Sequence, residues 1–180
     1  KPIKDMKILI TGAGPAGLYL AYLVKRQLPG WEIRIVEQNA RDSTFGFGVV
    51  FSDRALEFLR ADDPETFERI TPAMESWTDI TVVQRGTPVV IDGIGFAAIG
   101  RLRFLQLLQR QLGSVGVFPE YEKTIDREEE LDGYDLVVAA DGANSFVRRL
   151  HREAFGTSIK FLQNKFAWFG TTQLFPTLTQ

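Results

Sequence analysis

The chain has 180 residues, 44% of them hydrophobic, and a formal net charge of −2. That length buries one good core, or one domain and part of another, and the slightly acidic balance excludes the basic surface a nucleic-acid binder needs. With no cysteine and a single histidine, His151, disulfides, thiol nucleophiles and clusters of cysteine or histidine ligands are excluded. No apolar run approaches the roughly 18 residues of a membrane span. No metal, nucleic-acid or membrane partner is therefore expected, and the cysteine-free composition fits a cytoplasmic setting.

Taken in order, the chain first shows a short apolar run, Ile8-Leu9-Ile10, that reads as a buried parallel strand. Gly12, Gly14 and Gly17 follow at the spacing Gly-x-Gly-x-x-Gly. The first glycine permits a tight turn, the second lets backbone approach a pyrophosphate, and the third lets helix and strand pack closely. Pro15 suits a first helical position, where its missing N–H costs nothing. Pro15, Ala16 and Gly17 then open a helix predicted to run to about Gln27, whose N-terminal N–H groups and dipole favour an anion. Pro29-Gly30 breaks that helix. A second strand, Glu32 to Val36, ends in Glu37, 20 positions after Gly17 (37 − 17), where an acid accepts hydrogen bonds from an adenosine ribose. Gln38 continues that edge. Strand, glycine turn, helix, strand and terminal acid stand in the order a dinucleotide site requires. The competing reading is a tight strand–helix turn that binds nothing.

From Gln38 to Phe51 the chain is polar and then glycine-rich, and a loop is expected. Gly46 and Gly48 would let backbone pass something flat, or simply make a turn. Ser52 and Asp63 are predicted helix N-caps, the second followed by Pro64. Ile80 to Gln84 and Pro88 to Ile91 flank Arg85-Gly86 as a hairpin. Arg101 to Leu112 reads as a helix, Val115 to Phe118 as a third parallel strand, and Leu136 to Ala140 as another buried strand, ending in Asp141-Gly142. Phe166 to Phe175 reads as one long aromatic strand. The expected architecture is α/β: a Rossmann-like, parallel-sheet domain from 1–76 and 93–162, interrupted by a β-sheet insert from 77–92 and 163–180.

The glycine turn with Glu37, the Arg101-Leu102-Arg103-Phe104 helix start and the run Asp135 to Gly142 together resemble the FAD-dependent aromatic hydroxylases. These are the flavoprotein monooxygenases of the p-hydroxybenzoate hydroxylase type. The stretches Thr44 to Asp53 and Asn164 to Phe175 are similar to the salicylyl-CoA and 2-aminobenzoyl-CoA monooxygenases within that family. The resemblance implies that Gly12, Gly14, Pro15, Ala16 and Gly17 hold the FAD pyrophosphate and Glu37 and Gln38 the adenosine. It implies that Gly48 and Val49 pass near the isoalloxazine and that Arg101 reaches the ribityl and phosphate region. Asp141 and Gly142 match the family's Asp-Gly motif, associated with FAD and reduced nicotinamide. Arg101 could otherwise be a surface helix residue, and Asp141 a helix cap. The implied activity is hydroxylation of an aromatic substrate, a CoA thioester by the subgroup, with NADH or NADPH and O2 through a flavin C4a-hydroperoxide. The alternatives are an NAD(P)-dependent dehydrogenase and a non-catalytic dinucleotide-binding module. The family's later Gly-Asp motif has no counterpart here. The chain is therefore expected to be an N-terminal portion, inactive alone and prone to homo-oligomerise through its C-terminal aromatic strand.

Overall fold

The structure is a computed structural model that describes residues 5–165, 167, 170–175 and 177–179. In chain order its elements are β1 (Lys7–Thr11), α1 (Pro15–Gln27), β2 (Glu32–Val36), β3 (Gly48–Ser52), α2 (Asp53–Asp62), α3 (Pro64–Ile70), β4 (Glu75–Trp77), β5 (Ile80–Gln84), β6 (Thr87–Ile91), β7 (Phe96–Gly100), α4 (Arg101–Ser114), β8 (Leu136–Ala139), α5 (Phe146–Leu150) and β9 (Leu178–Thr179). The chain divides into two compact units, 1–43 with 105–164, and 44–104 with 165–180. The boundaries expected at residues 76 and 93 are not where the units part: 44–76 and 93–104 cluster with the hairpin.

In the first unit β1 is central, flanked in parallel by β2 and β8. Ile8, Leu9 and Ile10 are at most 3% exposed, as a strand covered on both faces must be. Leu18, Ala21 and Tyr22 of α1 are buried with them, as are Leu105, Leu108 and Leu112 of α4. The expected strand at Val115 to Phe118 is absent, although Val117 is buried. Only a single parallel bridge, Val36 to Glu120, extends the sheet there. Pro119 lacks the N–H that a continuing ladder would use. Arg34 of β2 instead secures this edge. Its guanidinium donates to both carboxylate oxygens of Glu120, at 2.7 and 3.1 Å, and to the Tyr134 hydroxyl at 2.7 Å. These hydrogen bonds from Arg34, with one from Lys123, hold the Glu120 carboxyl down at about 2.

The second unit contains two three-stranded sheets, β3-β7-β4, which is antiparallel, and β6-β5-β9. The Ser52 and Asp63 caps are present, accepting from the backbone N–H of Ala55 and Thr66. The β5–β6 hairpin turns at Arg85-Gly86. Three expectations are corrected. Residues 48–52 form a strand rather than loop, because Gly48 to Ser52 pair with Gly100 to Phe96. β4 and β7 add strands that no alternation of apolar residues announced. No described residue between 164 and 175 is in a strand, whereas Leu178–Thr179 pair in parallel with Ile80–Thr81. Phe166, Trp168 and Phe169, the aromatic heart of that expected strand, lie outside the described residues.

No helix among the described residues is long and apolar enough to cross a membrane, and no group of three or more candidate metal-ligating residues occurs among them.

Candidate cofactor site

The carboxyl ends of β2, β1 and β8 converge on the glycine turn. Gly12 N–H donates to the Val36 carbonyl at 2.7 Å, and Ala140 N–H donates to the Thr11 carbonyl at 2.8 Å, so the turn is tied to both neighbouring strands. The three glycines are there for different reasons. Gly12 has φ +98°, and a Cβ on it would run into the Ala140 carbonyl oxygen. A Cβ on Gly17 would collide with the carbonyl oxygen of Gly12. Both are dictated by the packing of the protein on itself. Gly14 is different. Its φ of −70° suits any residue, and a Cβ there would meet nothing within 4 Å. The room beside Gly14 is open, and it lies at the N-terminus of a helix of 13 residues with no side-chain cap and no acid in its first turn. Pro15 occupies the first helical position, and the early N–H groups of α1 have no intrahelical acceptor.

Beside the turn stands Glu37. Its Oε2 accepts from the Ala13 N–H at 2.9 Å, which ties the ribose-type acid directly to the phosphate-type turn. Its Oε1 accepts from both the backbone N–H and the side-chain Nδ2 of Asn39, at 2.9 and 2.7 Å. Gln38 next to it is exposed. At the end of β8, Asp141 Oδ2 accepts from the Phe146 N–H at 2.8 Å. Its Oδ1 is buried without a hydrogen-bond partner among the described residues, as is Oγ1 of Thr11 at the end of β1. Ser145, not Asp141, is the cap residue of α5, accepting from the Arg148 N–H at 3.0 Å. Gly142 has φ +76° with open space beside it, a conformation L side chains rarely adopt.

Gly12, Gly14, Pro15, Ala16, Gly17, Glu37, Asp141 and Gly142 thus come together on one unit. Gly48, Val49 and Arg101 lie in the other. There Gly48 pairs with Gly100, where a Cβ would approach the Ile99 carbonyl oxygen to 3.1 Å, so close strand pairing explains that glycine. Arg101 N–H donates to the Phe47 carbonyl at 3.1 Å, which starts α4 beside the loop that carries Gly46 and leads into β3. Two features escaped the sequence reading: the Asn39 carboxamide on Glu37, and the unpartnered Thr11 hydroxyl. No motif marks either.

The donor set suits a dinucleotide. An uncapped helix N-terminus can take a phosphate and a fixed carboxylate a ribose hydroxyl, and two polar atoms at the strand ends are buried with no partner among the described residues.

No family model matches the chain. Over 174 residues it is 42% identical to a salicyloyl-CoA 5-hydroxylase of Streptomyces sp, covering 97% of this chain and 34% of that protein. It is 32% identical over 165 residues to a 3-hydroxy-4-methyl-anthranilyl-[aryl-carrier protein] 5-monooxygenase of Streptosporangium sibiricum, covering 92% and 46%. Among solved structures, the fold is shared with 2-methyl-3-hydroxypyridine-5-carboxylic acid oxygenase (TM-score 0.69, 19% identity, 82% of this chain and 42% of that one). It is shared also with CtdE in complex with FAD (TM-score 0.63, 17% identity, 82% and 41%). The chain is a relative of the aromatic monooxygenases it resembles in its motifs, and it spans about a third to a half of the length of the curated relatives it matches.

Proposed function

We propose that the chain is the FAD-binding portion of an aromatic monooxygenase that uses NADH or NADPH and O2. The observation that carries this reading is the contrast among the three glycines. Gly12 and Gly17 are required by the protein's own packing, whereas Gly14 leaves room for something outside it, at an uncapped helix N-terminus beside a fixed carboxylate. In this reading the N–H groups at the start of α1 take the pyrophosphate, Glu37 takes a ribose hydroxyl, and Asp141 Oδ1 and Thr11 Oγ1 face the cofactor's polar groups. FAD, once bound, supplies the redox and oxygen-activating chemistry. The chain's residues bind and orient it.

The names of the two relatives share one feature: each acts on an aryl group carried on CoA or on a carrier protein. The substrate proposed here is likewise an aromatic acyl group carried as a CoA thioester. Leu174 is 93% exposed and Phe175 49%, which supports self-association through the C-terminal segment. A cytoplasmic location would supply the reductant.

The test is the purified chain itself. A yellow protein that releases FAD on denaturation supports the reading. A colourless chain that takes up NADH but not FAD refutes it in favour of a dehydrogenase, and one that takes up neither refutes the dinucleotide site.

A further inference from the structure

The acceptor positions of the Glu37 carboxylate are unequally used. A carboxylate offers about four lone-pair sites, two on each oxygen. Oε1 spends both on Asn39, one on its backbone N–H and one on its Nδ2. Oε2 spends one on Ala13. A single acceptor position is left, on the oxygen already tied to the glycine turn. The surrounding backbone keeps this arrangement in place. Glu37 N–H donates to the Glu120 carbonyl at 2.8 Å, Lys123 N–H to the Glu37 carbonyl at 2.9 Å, and Glu122 N–H to the Asn39 carbonyl at 3.1 Å. The strand end is thus pinned from outside, and the carboxamide can act on the carboxylate without the chain moving.

We propose that Asn39 is a positioning residue for the cofactor's adenosine. Its two donors fill Oε1, set the plane of the Glu37 carboxylate, and leave Oε2 as the one acceptor for a ribose hydroxyl. The ribose diol is then held by one directed hydrogen bond rather than gripped through both oxygens. This rests on the FAD reading above and adds to it which oxygen binds and what orients it.

The experiment is a FAD titration of the unaltered chain and of Asn39→Ala, Asn39→Asp, Glu37→Ala and the Asn39→Ala/Glu37→Ala pair, each with a thermal melt. The same proteins are titrated with FAD analogues lacking the adenosine 2′- or 3′-hydroxyl. The expected result is a roughly fivefold to tenfold weaker dissociation constant for Asn39→Ala, the range of one lost hydrogen bond. In the Glu37→Ala background the same change should cost less than about twofold, because the residue acts only through Glu37. Asn39→Asp, which turns a donor into a like charge against Glu37, should weaken FAD further than Asn39→Ala. The unaltered chain should discriminate against one deoxy analogue much more than the other, and Asn39→Ala should lose part of that discrimination. An equal loss in both backgrounds, an unchanged constant in Asn39→Ala, or equal sensitivity to both hydroxyls would overturn the proposal while leaving the FAD reading intact. Failure of the unaltered chain to bind FAD would overturn both.

Discussion

Replacing Gly14 by alanine separates a turn built for a ligand from one built for the fold. The backbone there is extended, with φ −70° and ψ 178°, so alanine adopts it without strain. The added Cβ touches nothing within 4 Å. Two small effects on stability oppose each other. Alanine is a poorer N-cap than glycine, by somewhat less than about 1 kcal/mol, whereas it lowers the entropy of the unfolded chain by about 0.4–1 kcal/mol. The net change in stability should stay within about 1 kcal/mol. Binding should behave differently, because the Cβ enters the space a pyrophosphate would fill. Loss of two charge-assisted backbone hydrogen bonds at about 1.5 kcal/mol each removes about 3 kcal/mol, or roughly 100-fold in the dissociation constant. Gly17→Ala is the contrasting control. Its Cβ would collide with the Gly12 carbonyl, so it should lower the melting temperature whether or not FAD is present. The assay pairs a FAD fluorescence titration with a thermal melt for each variant. A folded Gly14→Ala chain whose dissociation constant moves less than about twofold would refute the phosphate-turn reasoning, since no fold-based role remains for that glycine to be playing.

Glu37→Ala should weaken FAD by about 1.5–3 kcal/mol, the worth of one charge-assisted hydrogen bond, and an unchanged dissociation constant in the titration would remove Glu37 from the site. The Arg34–Glu120 pair should make stability pH-dependent in one direction. The folded Glu120 carboxyl sits at about 2 against 4.5 for the free group, so its contribution is complete above about pH 4.5 and is lost as pH falls toward about 2. With Glu120 41% exposed, solvent screening reduces that contribution to the order of 1 kcal/mol. Urea unfolding of Glu120→Gln across this window should show a shallower slope, and an identical slope would discount the pair. Asp63→Ala should cost about 1–3 kcal/mol by urea unfolding, because this 1% exposed carboxylate caps α3 and also accepts from the Thr66 hydroxyl; a smaller loss would mean that the cap is replaced by water.

The sequence by itself determined the first βαβ unit, the caps at Ser52 and Asp63, the Arg85-Gly86 hairpin and the strand before Asp141, though not that strand's burial, since Leu136 is 43% exposed and no residue of β8 is fully buried. Each depends on neighbours a few residues apart: a run of apolar side chains, a glycine spacing, an oxygen-bearing side chain ahead of a helix. Tertiary structure decided what depends on distant partners. Residues 48–52 begin with glycine and end with serine, and they become a strand only because residues 96–100, themselves glycine- and alanine-bearing, lie alongside. Val115 to Phe118 has the apolar content of a strand, yet the sheet reaches that segment only at Glu120. The site shows the same division. Gly-x-Gly-x-x-Gly and the distant acid were legible as a pattern, but the pattern treats its glycines alike. Only the folded backbone shows that Gly12 and Gly17 face carbonyl oxygens while Gly14 faces open space. The same holds for Asn39. An asparagine two residues beyond an acid is unremarkable in a string of letters, and it acquires a role only when Ala13, 24 positions before Glu37, takes the other carboxylate oxygen. Spacing along the chain can encode a turn, but which atoms are left unsatisfied around it depends on strands brought together from far apart in sequence.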